Sequence, residues 1–221
     1  MKMIYTFWEG EKPAYIDLCM SSWKFNFIEL GFHNLQNYTN LDINKLKRLP
    51  LQQVSDIVRV HVLRDNGGTW LDADTIAVGE LPKETLLGYP KTRENTIGFL
   101  NAHKEMFTEW ARFQDEIIDI EDVNWSTFGN DFTDKYLKEH IEIKIGCVDE
   151  CWPETKLSGD NRMLKYQEFY FNRSYHIKPR MLMLHNSWTP MWYKELSRRE
   201  VLRTDCTLSN ILNEIHNNGR R

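Results

Sequence analysis

Two carboxylates stand two residues apart in Trp70-Leu71-Asp72-Ala73-Asp74, directly behind the glycine pair Gly67-Gly68. In an extended segment side chains two apart share a face, so Trp70, Asp72 and Asp74 are expected to point one way and Leu71 and Ala73 into a core. Like charges that close repel unless a cation or a proton lies between them, and for exposed aspartates at neutral pH a cation is the better answer. Hard oxygen ligands select Mg2+, Mn2+ or Ca2+ over softer metals. Asp-x-Asp is nevertheless common, and a polar surface strand without an ion is the plain alternative.

A second pair lies upstream. Val54, Ile57, Val58 and Val62 recur at helical spacing and Gly67-Gly68 offers a C-cap and turn, so residues 51–65 read as a helix. Asp56 and Arg59 are i and i+3 on it and therefore neighbours on one face. Periodicity alone makes them an exposed ion pair of little energetic weight.

The two blocks together, Ser55-Asp56-x-x-Arg59 and Gly67-Gly68-x-Trp70-Leu71-Asp72-x-Asp74, resemble the central motif of DxD-containing sugar transferases of the capsular-polysaccharide-synthesis type. The block is also similar to that of yeast mannosyltransferases and of the clostridial glucosylating toxins. Ile4-Tyr5-Thr6-Phe7-Trp8-Glu9-Gly10 resembles the opening strand of the family, and Pro13-Ala14-Tyr15 with Ser22-Trp23 resembles the segment after it. Leu184-His185-Asn186-Ser187-Trp188 resembles its closing element, although relatives often carry two adjacent histidines and a longer gap before Ser-Trp.

This resemblance implies a GT-A-like fold, a nucleotide-sugar donor with UDP as the expected nucleotide, and Mn2+ or Mg2+ on the diphosphate. It makes Asp72, Asp74, Asp56 and Arg59 the expected catalytic set. Asp74 would ligate the metal directly, Asp72 would touch the metal, its water or the ribose, and His185 would contact the metal or the diphosphate. Asp56 and Arg59 would hold hydroxyls of the transferred sugar, a task suited to one acceptor and one forked donor. Ser187 and the indole N–H of Trp188 would donate to the β-phosphate, and Trp70 belongs to the same donor-contacting block. Trp8 either stacks on the nucleobase or is a core or rim tryptophan. Two looser matches are Phe128-Gly129-Asn130-Asp131-Phe132-Thr133, where Asp131 is a sugar contact or a helix N-cap, and Asn95 to Leu100, a strand beside the donor or simply a buried one.

The activity so implied is transfer of a hexose from a UDP-sugar to a glycan hydroxyl, with retention of configuration through leaving-group-assisted front-face attack. Two other classes compete. One is a glycoside hydrolase using the paired carboxylates, and the other is a non-catalytic module that binds UDP or carbohydrate.

Around these residues the chain must build a scaffold. Its 221 residues, 41% hydrophobic and 13% aromatic, fit one domain over 1–221 with a sizeable core. Strands are expected near 3–8, 69–78, 96–101 and 143–147, a strand and loop near 32–40, and helices near 13–27, 51–65, 82–87, 104–117 and 129–138. That alternation favours a three-layer α/β/α domain with a mainly parallel sheet and a ligand crevice at the strands' carboxyl ends. A net charge of −4 argues against a nucleic-acid partner. A first strand starting at Met3 leaves no room for a signal peptide and no apolar run reaches membrane-span length, so a cytoplasmic location is expected. Cys19, Cys147, Cys151 and Cys206 form no zinc spacing and read as reduced thiols; the sequons at Asn37, Asn124 and Asn172 matter only on a secretory route. Leu208, Ile211, Leu212 and Ile215 form a closing helical stripe that packs on the domain. The basic, aromatic stretch from Trp188 to Arg203 could touch an anionic membrane carrying a lipid-linked acceptor.

Overall fold

The computed structural model describes residues 2–89, 91–120, 123–148, 162–171 and 181–218, which leaves Cys151 and Asn172 outside the described residues. Its residues cluster into two compact units. The first comprises Met1–Gly10, Asn26–Asp72 and Pro82–Cys147, and the second Glu11–Phe25, Ala73–Leu81 and Val148–Arg221.

The first unit carries β1 (Ile4–Phe7), β2 (Phe27–Leu30), β3 (Thr69–Leu71), β5 (Leu86–Tyr89), β6 (Glu94–Asn101) and β7 (Ile145–Cys147). They form one sheet in the order β2-β1-β3-β6-β5-β7. The β1–β2, β1–β3 and β5–β7 pairings are parallel, and β3–β6 and β5–β6 antiparallel. This is the mainly parallel α/β architecture expected from the sequence rhythm. Helices α2 (Ile43–Leu46), α3 (Leu51–Asn66), α4 (Lys104–Ile117) and α5 (Asn130–Glu139) belong to the same unit. Their apolar faces join the sheet in one core that includes Val54, Ile57, Val58, Trp70, Leu100, Phe107, Trp110 and Phe128.

Helix α3 is the structural centre of this unit. It buries Val54 and every residue from Asp56 to Leu63, as a helix packed on more than one side must. It ends where Gly67 and Gly68 adopt φ of 68° and 91°. At Gly68 a Cβ would lie 2.4 Å from the Met3 carbonyl, so close approach to the start of β1 as well as the backbone angle demands glycine.

The second unit holds α1 (Ala14–Ser21), the antiparallel pair β4 (Thr75–Ala77) and β8 (Met181–Met183), α6 (Arg162–Phe171), α7 (Met191–Lys194), α8 (Arg198–Val201) and α9 (Thr207–Asn218). The buried Leu208, Leu212 and Ile211 of α9 confirm the closing stripe as packed.

Several expected elements differ from the structure. The helix expected over 13–27 stops at Ser21, because the Ser21 and Ser22 hydroxyls donate to the carbonyls of Leu18 and Cys19. Of the strand and loop expected near 32–40, the strand lies earlier, at β2, and 35–37 is a single 3-10 turn. The helix expected over 82–87 is replaced by irregular chain running into β5. There the Asn101 amide donates to the Pro82 and Glu84 carbonyls, and the Asn101 main-chain N–H to that of Thr85. Carbonyls used in this way cannot close helical turns. The strand expected over 69–78 is two strands separated by a turn at Ala73-Asp74.

Two features generate measurable consequences. Arg93, at φ 58°, donates through Nε to the Leu137 carbonyl at 2.7 Å and through Nη2 to those of His140 and Ile143 at 3.0 and 3.2 Å, satisfying the C-terminal end of α5. Arg93→Ala should lower the unfolding free energy by about 2 kcal/mol, seen as an earlier urea midpoint at unchanged slope. His61 on α3 is buried, with Nε2 3.6 Å from Asp115 Oδ1 of α4. Burial, then Arg64, pulls its pKa down to about 4, while Asp115 and Asp65 oppose the shift. A depressed folded-state pKa means that the unfolded chain takes up the proton first. Stability should therefore be complete above about pH 6.5 and fall as pH drops toward 4. His61→Phe should flatten that stretch of a stability-against-pH curve measured by chemical denaturation.

Candidate functional site

In the first unit the site begins on α3. Asp56 and Arg59 are 5% and 4% exposed, so the surface ion pair that periodicity suggests is in fact a buried one. The burial comes from α3 being covered by other elements, which a helical repeat cannot register. Arg59 places Nη2 2.9 Å from Asp56 Oδ1, 3.1 Å from Ser55 Oγ and 3.4 Å from Asp72 Oδ1. Its Nη1 donates to the Ile97 carbonyl at 2.5 Å and its Nε to the Ser55 carbonyl at 3.2 Å. The guanidinium also lies 5.3 Å from the Trp70 ring centre. Burial pushes the Asp56 carboxyl up to about 7; Arg59 pulls the other way and Asp72 adds to the rise.

Asp72 follows β3 directly, and its N–H makes one more rung to the Gly98 carbonyl at 2.9 Å. Trp70, expected beside it on an exposed face, is completely buried because β3 is an interior strand, and its indole N–H donates to Asp72 Oδ1 at 2.7 Å. Trp70 thus orients Asp72 from below. The Asp72 side chain is 32% exposed, and its Oδ2 takes no hydrogen bond from the described residues. Trp8 follows β1, the parallel neighbour of β3, with its N–H on the Leu30 carbonyl. Its indole Nε1 is buried and lacks a hydrogen-bond partner among the described residues. Trp8 and Asp72 therefore occupy the carboxyl ends of adjacent parallel strands, where open α/β sheets hold their ligands.

The second unit gathers Asp74, His185, Ser187 and Trp188. Asp74 Oδ2 accepts the Asn186 N–H at 2.8 Å, and the Asp74 carbonyl accepts that of Leu184 at 3.1 Å. The Asn186 side-chain oxygen takes the Tyr15 hydroxyl at 2.5 Å. Around His185 the hydrogen bonds close on themselves. Its N–H donates to Tyr166 OH at 2.8 Å; Tyr166, Tyr170 and Thr189 hydroxyls follow at 2.8 Å steps; and Thr189 Oγ1 donates to the His185 carbonyl at 3.0 Å. Each hydroxyl has one proton, so the ring runs in a single direction. The His185 and Trp188 rings lie 4.2 Å apart, with Ser187 exposed between them in sequence. Burial, with Asp74 adding to it, pushes the Tyr15 hydroxyl's pKa up, so it remains a donor. Lys194 also faces Asp74, whose charge partly offsets the depression that burial causes in the ammonium.

The boundary between the units falls inside the Asp72-Ala73-Asp74 segment. Among the described residues no three His, Cys, Asp or Glu side chains form a metal cage on their own. Asp131 lies in the first turn of α5, whose N-cap is Gly129 with no side-chain cap. The sequence reading did not single out Gln114, Tyr166 or Tyr170; Tyr15, Asn186 and Lys194 lie inside segments it noted but received no role of their own. The polar Gln114 on the buried stripe of α4, beside Trp110 and Ala111, interrupts the apolar pattern there.

Comparison with known proteins places these residues in context. A family model described as capsular polysaccharide synthesis protein matches residues 1–141. The match includes Trp8, Asp56, Arg59, Trp70, Asp72 and Asp74, and stops before His185. No curated protein matches the chain.

The closed hydroxyl ring is directly testable. Tyr170→Phe removes its middle member and leaves the Tyr166 and Thr189 hydroxyls short of a partner, so the unfolding free energy should fall by about 1–3 kcal/mol in guanidinium titrations.

Proposed function

The chain belongs to the capsular polysaccharide synthesis protein family, and from that membership we propose that it is a metal-dependent, retaining glycosyltransferase that moves a hexose from a UDP-sugar to a hydroxyl of a capsular or cell-surface glycan. The observation that carries the reading is the buried Asp56–Arg59–Asp72 relay, with Asp72 presenting a second oxygen at the carboxyl edge of the sheet. Such a relay fixes a hydrogen-bonding pair for sugar hydroxyls and an outward carboxylate oxygen in one rigid piece.

In this reading Asp56 and Arg59 hold hydroxyls of the transferred hexose. Trp8, with its buried and unsatisfied indole N–H, meets the nucleobase. Ser187 and Trp188 donate to the β-phosphate, with Lys194 as a further cation. The Asp72 and Asp74 carboxylates are hard oxygen donors suited to Mn2+ or Mg2+, with His185 as a third contact. The bound ion would supply Lewis-acid neutralisation of the departing diphosphate, several kcal/mol of charge stabilisation. The attack proposed is on the front face, assisted by the leaving group.

The hydrolase alternative is weaker. It would use Asp72 or Asp74 as acid or nucleophile, and carboxylates two residues apart in one segment do not easily flank a scissile bond from opposite faces. Among the described residues no helix is long and apolar enough to cross a membrane. A cytoplasmic enzyme touching the membrane through residues 188–203 belongs to the same proposal.

Calorimetry of UDP with and without Mn2+, in the parent and in Asp74→Asn, tests the reading. Manganese-dependent binding weakened at least tenfold in the variant is the expected result, and absence of UDP binding by the parent would sink it. Binding without any turnover of UDP-hexoses, including hydrolysis, would leave a binding module in place of an enzyme.

A further inference from the structure

The strongest unexplained feature of the first unit is a buried amide. Gln114 on α4 is fully buried, and its Nε2 donates to two main-chain carbonyls, that of Asp56 at 3.0 Å and that of Phe128 at 2.6 Å. Its Oε1 is buried without a hydrogen-bond partner among the described residues, a cost that an apolar side chain at this place would not incur. The Phe128 carbonyl takes a second donor, Trp110 Nε1 at 2.9 Å. Helix α4 thus clamps the Ser126–Gly129 turn against the same residue of α3 that carries the Asp56 carboxylate.

The next residue of that turn is Gly129. A Cβ built there would lie 3.1 Å from Asp56 Oδ2 and 2.5 Å from Ile97 Cδ1, the residue whose carbonyl takes Arg59 Nη1. Its φ of −120° lies outside the left-handed region, and an added Cβ would crowd the Asp56 carboxylate and the movable end of the Ile97 side chain. The turn therefore abuts the side of Asp56 opposite the oxygen that faces Arg59. Asp56 is held in front by the guanidinium, behind by Gly129, and at its main chain by Gln114.

We propose that Gln114 and Gly129 are positioning residues: the Gln114 amide locks the Phe128-Gly129 turn to α3, and side-chain-free Gly129 then fixes the Asp56 carboxylate on Arg59 where it meets the transferred sugar. The catalytic part of this inference rests on the glycosyltransferase reading; the positioning part does not. Neither residue touches substrate in this scheme, and their effect passes through Asp56 and Arg59.

The test uses the full chain in four forms: parent, Gln114→Leu, Gly129→Ala and Leu46→Ala. The last opens a cavity in α2, outside the site, and controls for lost stability alone. Two readouts are taken below the melting range of every form. One is donor turnover set against UDP affinity in Mn2+. The other, needing no ligand, is proton exchange at Arg59 Nε–H in nitrogen-15 spectra. Gln114→Leu and Gly129→Ala should keep UDP affinity within about twofold, lose about tenfold or more in kcat, and speed Arg59 Nε–H exchange by about tenfold or more, while Leu46→Ala changes none of these. If Gln114→Leu does not fold, Gly129→Ala decides. Parental exchange rates in the folded variants, or equal acceleration in Leu46→Ala, overturn the positioning role. A parent that binds no UDP removes the transferase reading and leaves the exchange measurement to judge the clamp.

Discussion

A guanidinium taken out of water must place its N–H donors on protein acceptors or carry an uncompensated charge in the interior. Arg59 meets that demand by reaching its own helix at Ser55 and Asp56, strand β6 at Ile97 and the end of β3 at Asp72. The charge cannot be screened at this depth, so the surrounding backbone is committed to the positions of those acceptors. Helix α3, the rim of the sheet and the Asp72 carboxylate are thereby registered to one another by a single side chain. Lysine would not do the same, because a point ammonium lacks the planar fork that divides itself among three elements.

The electrostatic consequences follow from the same burial. Asp56 lies beside a full positive charge and still has its carboxyl pushed up to about 7, because desolvation outweighs the attraction and Asp72 adds repulsion. Two carboxylates and one cation share the space, leaving the group with excess negative character near its exposed edge. The indole of Trp70 beneath keeps Asp72 turned outward by holding one of its two oxygens.

The second unit solves a different problem. The His185–Thr189 segment is short and half exposed, and nothing in its local sequence would make it rigid. The ring of hydroxyls from Tyr166, Tyr170 and Thr189 begins and ends on the His185 backbone, so every polar group in it is satisfied by another member. Satisfied networks of this kind in an apolar surround specify one arrangement, whereas a partly satisfied one would be costly. Tyr15 and Asn186 extend the same logic to Asp74.

By itself the sequence determined the elements that follow from periodicity and punctuation, and it singled out the residues on which the proposed chemistry rests. The 3.6-residue spacing and paired glycines delimit α3 almost to the residue, the 104–117 stripe gives α4, and the alternation of strand and helix gives a mainly parallel α/β sheet. Asp56, Arg59, Asp72 and Asp74 were legible because their types and spacing are local. What only the tertiary structure decided is burial and partnership. A helical repeat cannot say that other elements cover Asp56 and Arg59, and strand alternation fails at Trp70 because β3 is an interior strand with both faces buried. The helix anticipated over 82–87 was lost to carbonyl contacts with Asn101, and Gln114, Gly129, Tyr166 and Tyr170 acquire roles only through partners far away in the chain. Those contacts are long-range, so their energies leave no period or motif in the sequence to be read.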